Sequence, residues 1–186
     1  MRQLAIAARY FEVPNWRIVL GTDLQVSSNV IVKSMSGEQV SNNSVLYTSR
    51  VDGEILDKSH IWLTQHAVTK DSDLTVVYVD GRCFAFECRA FASASDWREH
   101  IPEMSDSDWN FVELADQFVE LICCFMIECN LRFGRLDFVT AGETKYFLEV
   151  NPNGQWAWLD LTGKHGLLAA MVAAIEGKSS KAAVKY

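Results

Sequence analysis

Three oxygen-bearing side chains carry the most legible chemistry in this sequence. They are Asp137, Glu149 and Asn151, in the segment LDFVTAGETKYFLEVNPNGQWAW from Leu136 to Trp158. Apolar, aromatic and β-branched residues flank Ala141-Gly142-Glu143, the pattern of a β-hairpin. A three-residue loop, Gly142 to Thr144, makes Asp137 face Glu149, Phe138 face Leu148 and Leu136 face Val150. One face of the hairpin is then apolar, and the other holds Asp137, Glu149 and Asn151. Carboxylates directly opposed across a ladder repel each other. A divalent cation removes that conflict, and three oxygen ligands suit Mg²⁺, which keeps waters and takes other ligands from phosphates. On spacing alone, an exposed hairpin edge with two solvated acids accounts for the pattern as well.

The elements that must position these residues follow from periodicity. A helical stripe runs from Arg2 to Phe11 and stops before Pro14. Trp16 to Leu20, Asn29 to Lys33, Val45 to Val51, Ile61 to Gln65, Asp73 to Val79 and Arg82 to Arg89 read as strands. Asp80-Gly81 between the last two is a strong hairpin signal. Ser93 to Ser107 is polar and irregular, and Asp108 to Leu131 is predicted as one long, broad-striped helix with Ser105 or Asp106 near its cap. A last helix is predicted over Thr162 to Glu176, ending at Gly177, before a basic mobile tail, Lys178 to Tyr186. Hairpins followed by helices, without regular βαβ alternation, give an α+β class with mainly antiparallel sheets.

Composition narrows the function. A chain of 186 residues with 49% hydrophobic and 22% charged residues holds one sizeable core or two small lobes. The net charge of -7 argues against a nucleic-acid surface, which wants a basic footprint, but not against a local nucleotide site. No stretch reads as a secretory signal or a membrane span. The cysteines Cys83, Cys88, Cys123, Cys124 and Cys129 are odd in number and form no Cys-x-x-Cys pair, which fits a reduced compartment. A cytoplasmic location is expected.

The hydrophobic-Asp strand at Asp137, followed by a turn and Phe147-Leu148-Glu149-Val150-Asn151-Pro152-Asn153-Gly154-Gln155-Trp156, resembles the metal-binding end of ATP-grasp ligases. The likeness is to the branch of microviridin-type peptide-crosslinking ligases and, more distantly, ribosomal-protein glutamate ligases; Glu-x-Asn-Pro recurs across the superfamily, and the Asn153 to Trp156 extension is narrower. The resemblance implies an ATP-grasp fold of two lobes with mainly antiparallel sheets and a long buried helix in the C-terminal lobe. A trimmed small lobe is expected over residues 1–66, the C-terminal lobe over 67–177 and the tail over 178–186. It implies Mg-ATP held between the lobes, with Asp137, Glu149 and Asn151 on Mg²⁺ and Lys33 on the α- and β-phosphates. Ser34, Ser36 and Gly37 would belong to the lid loop. Gln65, His66, Ala67, Val68 and Lys70 would lie along the adenine edge, with Gln65 matching and His66 standing where a glutamate is usual. Arg98, in Asp96-Trp97-Arg98, and Arg89 match basic positions near the reaction centre. The implied activity is ATP-dependent ligation of a carboxylate to an amine or hydroxyl on a peptide or protein, through an acyl phosphate.

Two departures qualify that expectation. The branch usually has an arginine where this chain has Thr75, and threonine cannot replace a forked cation unless Arg89 or Arg98 compensates. Such ligases also begin with a separate N-terminal domain, whereas this chain starts at the helix before the first lobe. A non-catalytic nucleotide- or peptide-binding remnant, or one half of a split ligase with a detached N-terminal domain, is the alternative. A self-association or partner surface is expected near Asp23 to Ser44, where the small sheet lacks its usual helix. Trp156 and Trp158 read first as a buried seal beneath the final helix and second as a stacking surface.

Overall fold

The computed structural model describes residues 2–23, 30–34, 59–90, 92 and 108–178. They fall in two compact units, one drawn from the spans 1–13, 70–92 and 104–186 and the other from 14–69. The stretches 35–58 and 93–107, which include the predicted strand Val45 to Val51, lie outside the described residues, as does most of the surface expected near Asp23 to Ser44.

The smaller unit is a three-stranded antiparallel sheet of β1 (Trp16–Leu20), β2 (Val30–Ser34) and β3 (Ile61–His66), in the order β1-β3-β2. The two-residue period sorts its side chains. Trp62 and Thr64 of β3 are buried together with Val32, which pairs Thr64, while Ile18, Leu20 and Ile61 are exposed on the opposite face.

The larger unit is a five-stranded antiparallel sheet, ordered β6-β5-β4-β7-β8. Its strands are β4 (Ser72–Val79), β5 (Arg82–Cys88), β6 (Trp109–Val112), β7 (Phe133–Ala141) and β8 (Thr144–Asn151). β4 is central and buried along its whole length, which suits its nearly unbroken Leu-Thr-Val-Val-Tyr-Val centre. Asp80 and Gly81, at φ 46° and 92°, make the two-residue turn into β5, and Arg132 grips the Asp80 carboxylate with both Nε and Nη2.

Among the described residues three α-helices accompany the sheets: α1 (Arg2–Ala7), α2 (Asp116–Glu128) and α3 (Leu167–Ile175). The helix predicted from Asp108 starts eight residues later, because Trp109–Val112 pair with β5 instead. Trp109 and Phe111 fit a two-residue period as well as a helical stripe, and the sheet hydrogen bonds decide between them. α2 is capped by Cys129 and followed by Asn130, which takes the left-handed conformation at φ 56° and turns the chain away. The helix predicted from Thr162 begins only at Leu167, since Gly163 and Gly166 turn the chain at φ 69° and 77°.

One face of the five-stranded sheet carries the aromatic core. Phe138 and Phe147 meet Phe118 and Phe125 of α2, and Phe11 stacks on Phe147 at 5.7 Å while meeting Phe138 edge-on at 5.3 Å. The outer edge of β8 is covered by the start of the chain. The Phe147 amide donates to the Glu12 carbonyl, and the Val150 amide donates to Gln3 Oε1, each at 2.8 Å. On the other face, Trp158 packs edge-on against Trp109, and His165 stacks on Phe111 at 4.2 Å. Trp156 and Trp158 are half-buried rather than sealed in, and Trp158 packs against β6.

Candidate functional site

Asp137 and Glu149 stand directly opposite each other on β7 and β8, and Asn151 pairs Arg135 two residues along. The predicted register holds at this point, but it is reached by a different route. The loop has two residues, Gly142 and Glu143, so Ala141 pairs Thr144 and Phe138 pairs Phe147 rather than Leu148. Continued unbroken, that register would set Asp137 against Leu148. A bulge between Asp137 and Phe138 absorbs the extra residue of β8 and returns Glu149 to Asp137. Bulges re-aim side chains in this way beside functional sites.

The environment of Asp137 differs from two bare carboxylates in conflict. Asp137 is buried, and both its oxygens are engaged. Thr75, its partner on β4, donates its hydroxyl to Oδ1 at 2.7 Å, and Arg135 donates Nη2 to Oδ2 at 3.1 Å. Arg135 is also buried and donates Nη1 to the Gln155 carbonyl at 3.0 Å. Charge conflict with Glu149 is therefore met within the protein, and a cation from solution is not the sole way to relieve it. Arg135 escaped the sequence reading although its signal was present: it lies two residues before Asp137, hence on the same strand face. Arg135 places a guanidinium next to Asp137 from β7, while Thr75 donates to the same carboxylate.

The turn after β8 closes over this guanidinium. Asn151 Oδ1 accepts from the Asn153 amide at 3.0 Å, and the Gly154 amide returns to the Asn151 carbonyl at 3.1 Å. A Cβ at position 154 would lie 2.7 Å from Arg135 Cβ and 3.2 Å from the Asn151 carbonyl oxygen. Only glycine allows the chain to descend here, which is the physical content of Asn153-Gly154-Gln155.

The remaining predicted residues fall in several places. Lys33 and Gln65 share a face of the smaller sheet, since Ile31 pairs Gln65 and Lys33 pairs Leu63. Gln65 is buried, and its Nε2 has no hydrogen-bond partner among the described residues. His66 is exposed, with its amide on the Asn15 carbonyl, and Ala67 and Val68 follow it as half-buried chain outside any strand or helix. Lys70 makes a buried ion pair with Asp73 at 2.5 Å. Arg89 is exposed and paired with Glu87, whose carboxylate accepts from Ser72 at 2.7 Å. Burial opposes ionisation of Glu87, but the bonds from Ser72 and Arg89 outweigh it and hold its carboxyl below the usual range. Glu87 alternates with Phe86, the residue in line with Thr75 and Asp137, so Arg89 and Glu87 belong to the opposite face from Asp137. There they line a hollow of about 380 Å³ with Ala90, Asp108 and Asn110. Arg98, Ser36 and Gly37 lie outside the described residues.

Two antiparallel sheets, the larger with helices on its aromatic face and an acidic hairpin on the other, make the ATP-grasp fold. Among solved structures, the chain superposes on the RiPP-associated ATP-grasp ligase of Chryseobacterium gregarium, solved with ADP and a leader and core peptide. The TM-score is 0.81 at 22% identity, over 96% of this chain and 59% of that one. It also superposes on the macrocyclase MdnC of Microcystis aeruginosa, bound with precursor peptide MdnA, at TM-score 0.74 and 19% identity over 96% and 59%. The D-alanine–D-alanine ligase of Bacillus anthracis, complexed with ATP, gives 0.57 at 15% identity over 95% and 65%. The chain thus spans about six-tenths of the length of the structures it resembles. No family model and no curated protein sequence matches it. Among the described residues, no helix is long and apolar enough to cross a membrane.

Proposed function

We propose that the chain binds Mg-ATP and serves an ATP-dependent ligase that joins a carboxylate to an amine or hydroxyl on a peptide or protein. The observation that carries the reading is the register of Asp137, Glu149 and Asn151 on one face of a bulged hairpin within this fold. The solved structures that share the fold support it, since the three named above hold ADP, ATP or precursor peptides.

The donor set suits a hard divalent cation. Among the described residues no three His, Cys, Asp or Glu side chains gather around one point, so a cation here needs the Asn151 amide and oxygens from outside the protein. Asn151 Oδ1 uses one lone pair on Asn153 and keeps the other. A bound Mg²⁺ would supply neutralisation of phosphate charge. Lys33 adds a point charge for the α- and β-phosphates, and the unpartnered Gln65 amide on the same sheet face offers a donor to the base, near His66, Ala67, Val68 and Lys70. Arg98 is assigned to the substrate carboxylate; Arg89, paired with Glu87 on the face away from Asp137, is left to the charge of the opposite face. Transfer of the γ-phosphoryl to that carboxylate gives an acyl phosphate that the nucleophile opens. Catalysis of this kind rests on positioning and charge rather than a protein nucleophile. Free thiols at all five cysteines accord with a cytoplasmic site of action.

A second reading, nucleotide or peptide binding without turnover, draws on Thr75 and on the engagement of both Asp137 oxygens. ATP affinity measured with and without Mg²⁺, for wild type and Glu149→Ala, tests the first claim. Mg²⁺ should tighten binding in wild type and not in the variant, and identical Mg²⁺-independent behaviour would end the nucleotide reading. ADP release with carboxylate-bearing peptides then separates ligation from binding.

A further inference from the structure

Arg135 brings a full positive charge into the candidate site, and the proposed reaction makes no use of it. Its nitrogens are employed unequally. Nη2 holds Asp137, Nη1 holds the Gln155 carbonyl, and Nε is buried without a partner among the described residues. The placement is built from three sides. β7 puts Arg135 on the face of Asp137, β4 supplies Thr75 to the other carboxylate oxygen, and Gly154 lets the following turn close on the guanidinium. A guanidinium and a divalent cation cannot both sit on Asp137 Oδ2, since like charges at a few ångströms repel strongly in a buried setting. The fork of Arg135, with 8% of its side chain exposed, is already in that position.

We propose that Arg135 is the resident cation of this site: it holds Asp137 in place of a divalent ion. A cation arriving with nucleotide is then ligated by Glu149 and Asn151 and not by Asp137. Asp137 becomes a metal ligand when the guanidinium is removed. The roles given to Glu149 and Asn151 rest on the nucleotide-site reading; the claim about Asp137 and Arg135 does not. Arg135 acts through Asp137 and is a positioning residue.

Mn²⁺ binding to the full chain, followed by calorimetry and by the loss of free Mn²⁺ signal in electron paramagnetic resonance, tests this. Without nucleotide, Arg135→Met should bind Mn²⁺ at least about tenfold more tightly than wild type, and Asp137→Asn in the same chain should abolish the gain. With ADP present, Asp137→Asn should bind Mn²⁺ within about twofold of wild type, whereas Glu149→Gln should lose about tenfold or more. A folded Arg135→Met chain with wild-type Mn²⁺ affinity overturns the proposal. Equal losses in Asp137→Asn and Glu149→Gln overturn it too. If Arg135→Met does not fold with or without Mn²⁺, the near-isosteric Asp137→Asn arm decides alone. A wild type that binds no Mn²⁺ with ADP sinks the nucleotide reading instead, and the gain in Arg135→Met still tests Asp137.

Discussion

A methyl group at position 154 is the smallest change that tests how the turn after β8 sits on the candidate site. In Gly154→Ala the new Cβ meets Arg135 Cβ at 2.7 Å and the Asn151 carbonyl oxygen at 3.2 Å. Carbon atoms settle at roughly 3.5–4.0 Å, and neither neighbour is the loose end of a side chain, so the turn must rise by about 1 Å. The 3.0 Å bond from Arg135 Nη1 to the Gln155 carbonyl does not survive that rise. Losing a hydrogen bond to a charged group costs about 1.5–3 kcal/mol. Leaving the turn in place instead costs about 1–3 kcal/mol of overpacking. The two are alternatives rather than a sum, because lifting the turn relieves the clash by breaking the bond. Alanine also restricts the unfolded chain, offsetting roughly 0.4–1 kcal/mol. With the turn lifted, the net expectation is a loss of about 0.5–2.5 kcal/mol, read as a lower urea midpoint at unchanged slope. The cost should shrink in an Arg135→Met background, where the broken bond is already absent. A Gly154→Ala chain within about 0.5 kcal/mol of wild type would refute the close descent on Arg135.

Three further outcomes follow from the packing. Phe147→Ala removes a fully buried ring touching Phe11, Phe125 and Phe138, and should lower unfolding free energy by about 3–5 kcal/mol; a fall below about 1 kcal/mol would contradict that core. The Asp160 carboxylate accepts from the His165 and Leu167 amides at 3.1 and 3.0 Å, so Asp160→Ala should cost about 1–2 kcal/mol and speed amide exchange at the start of α3 before elsewhere. A hydrogen bond from Cys83 draws the Cys123 thiol down from its usual 9.0 to about 7, against burial and the charge of Glu120. A folded value below the unfolded one means that the Cys123 thiolate contributes stability above pH 9.0 that is lost as pH falls through about 7. Cys83, pushed up by the same bond, keeps its contribution throughout that window. Cys83→Ala should move the thiolate absorbance at about 240 nm to higher pH; an unmoved titration would deny the thiol pair.

The sequence was legible where local rules and tertiary structure agree. Asp80-Gly81 forms the hairpin that its residue types demand, and Val30–Ser34 and Ile61–His66 appear close to their predicted bounds. The opposition of Asp137 to Glu149 was read correctly, although two errors cancelled: the loop is one residue shorter than predicted, and a bulge restores the count. No local signal marks a bulge of that kind, because it is set by the pull of two already paired strand segments. Trp109–Val112 was lost to the helix because four residues satisfy both periods, and only the unpaired edge of β5 selects between them. Arg135 was missed for a different reason. Its pairing with Asp137 depends on burial of that carboxylate, which strand alternation alone does not specify, and a buried carboxylate calls for a nearby cation.

The cover that the start of the chain lays along β8 bears on the order in which this protein assembles. Gln3 and Val150 are joined by a hydrogen bond across 147 positions, and Glu12 reaches the same strand at Phe147. Contacts so distant in sequence form late, since a long loop must close before they return anything. During synthesis the segment Arg2–Val13 is made well before β8, yet it has no edge to occupy until β8 exists. The strand bearing Glu149 and Asn151 is therefore the last rung on which the sheet closes, and its outer edge stays open to other chains until then.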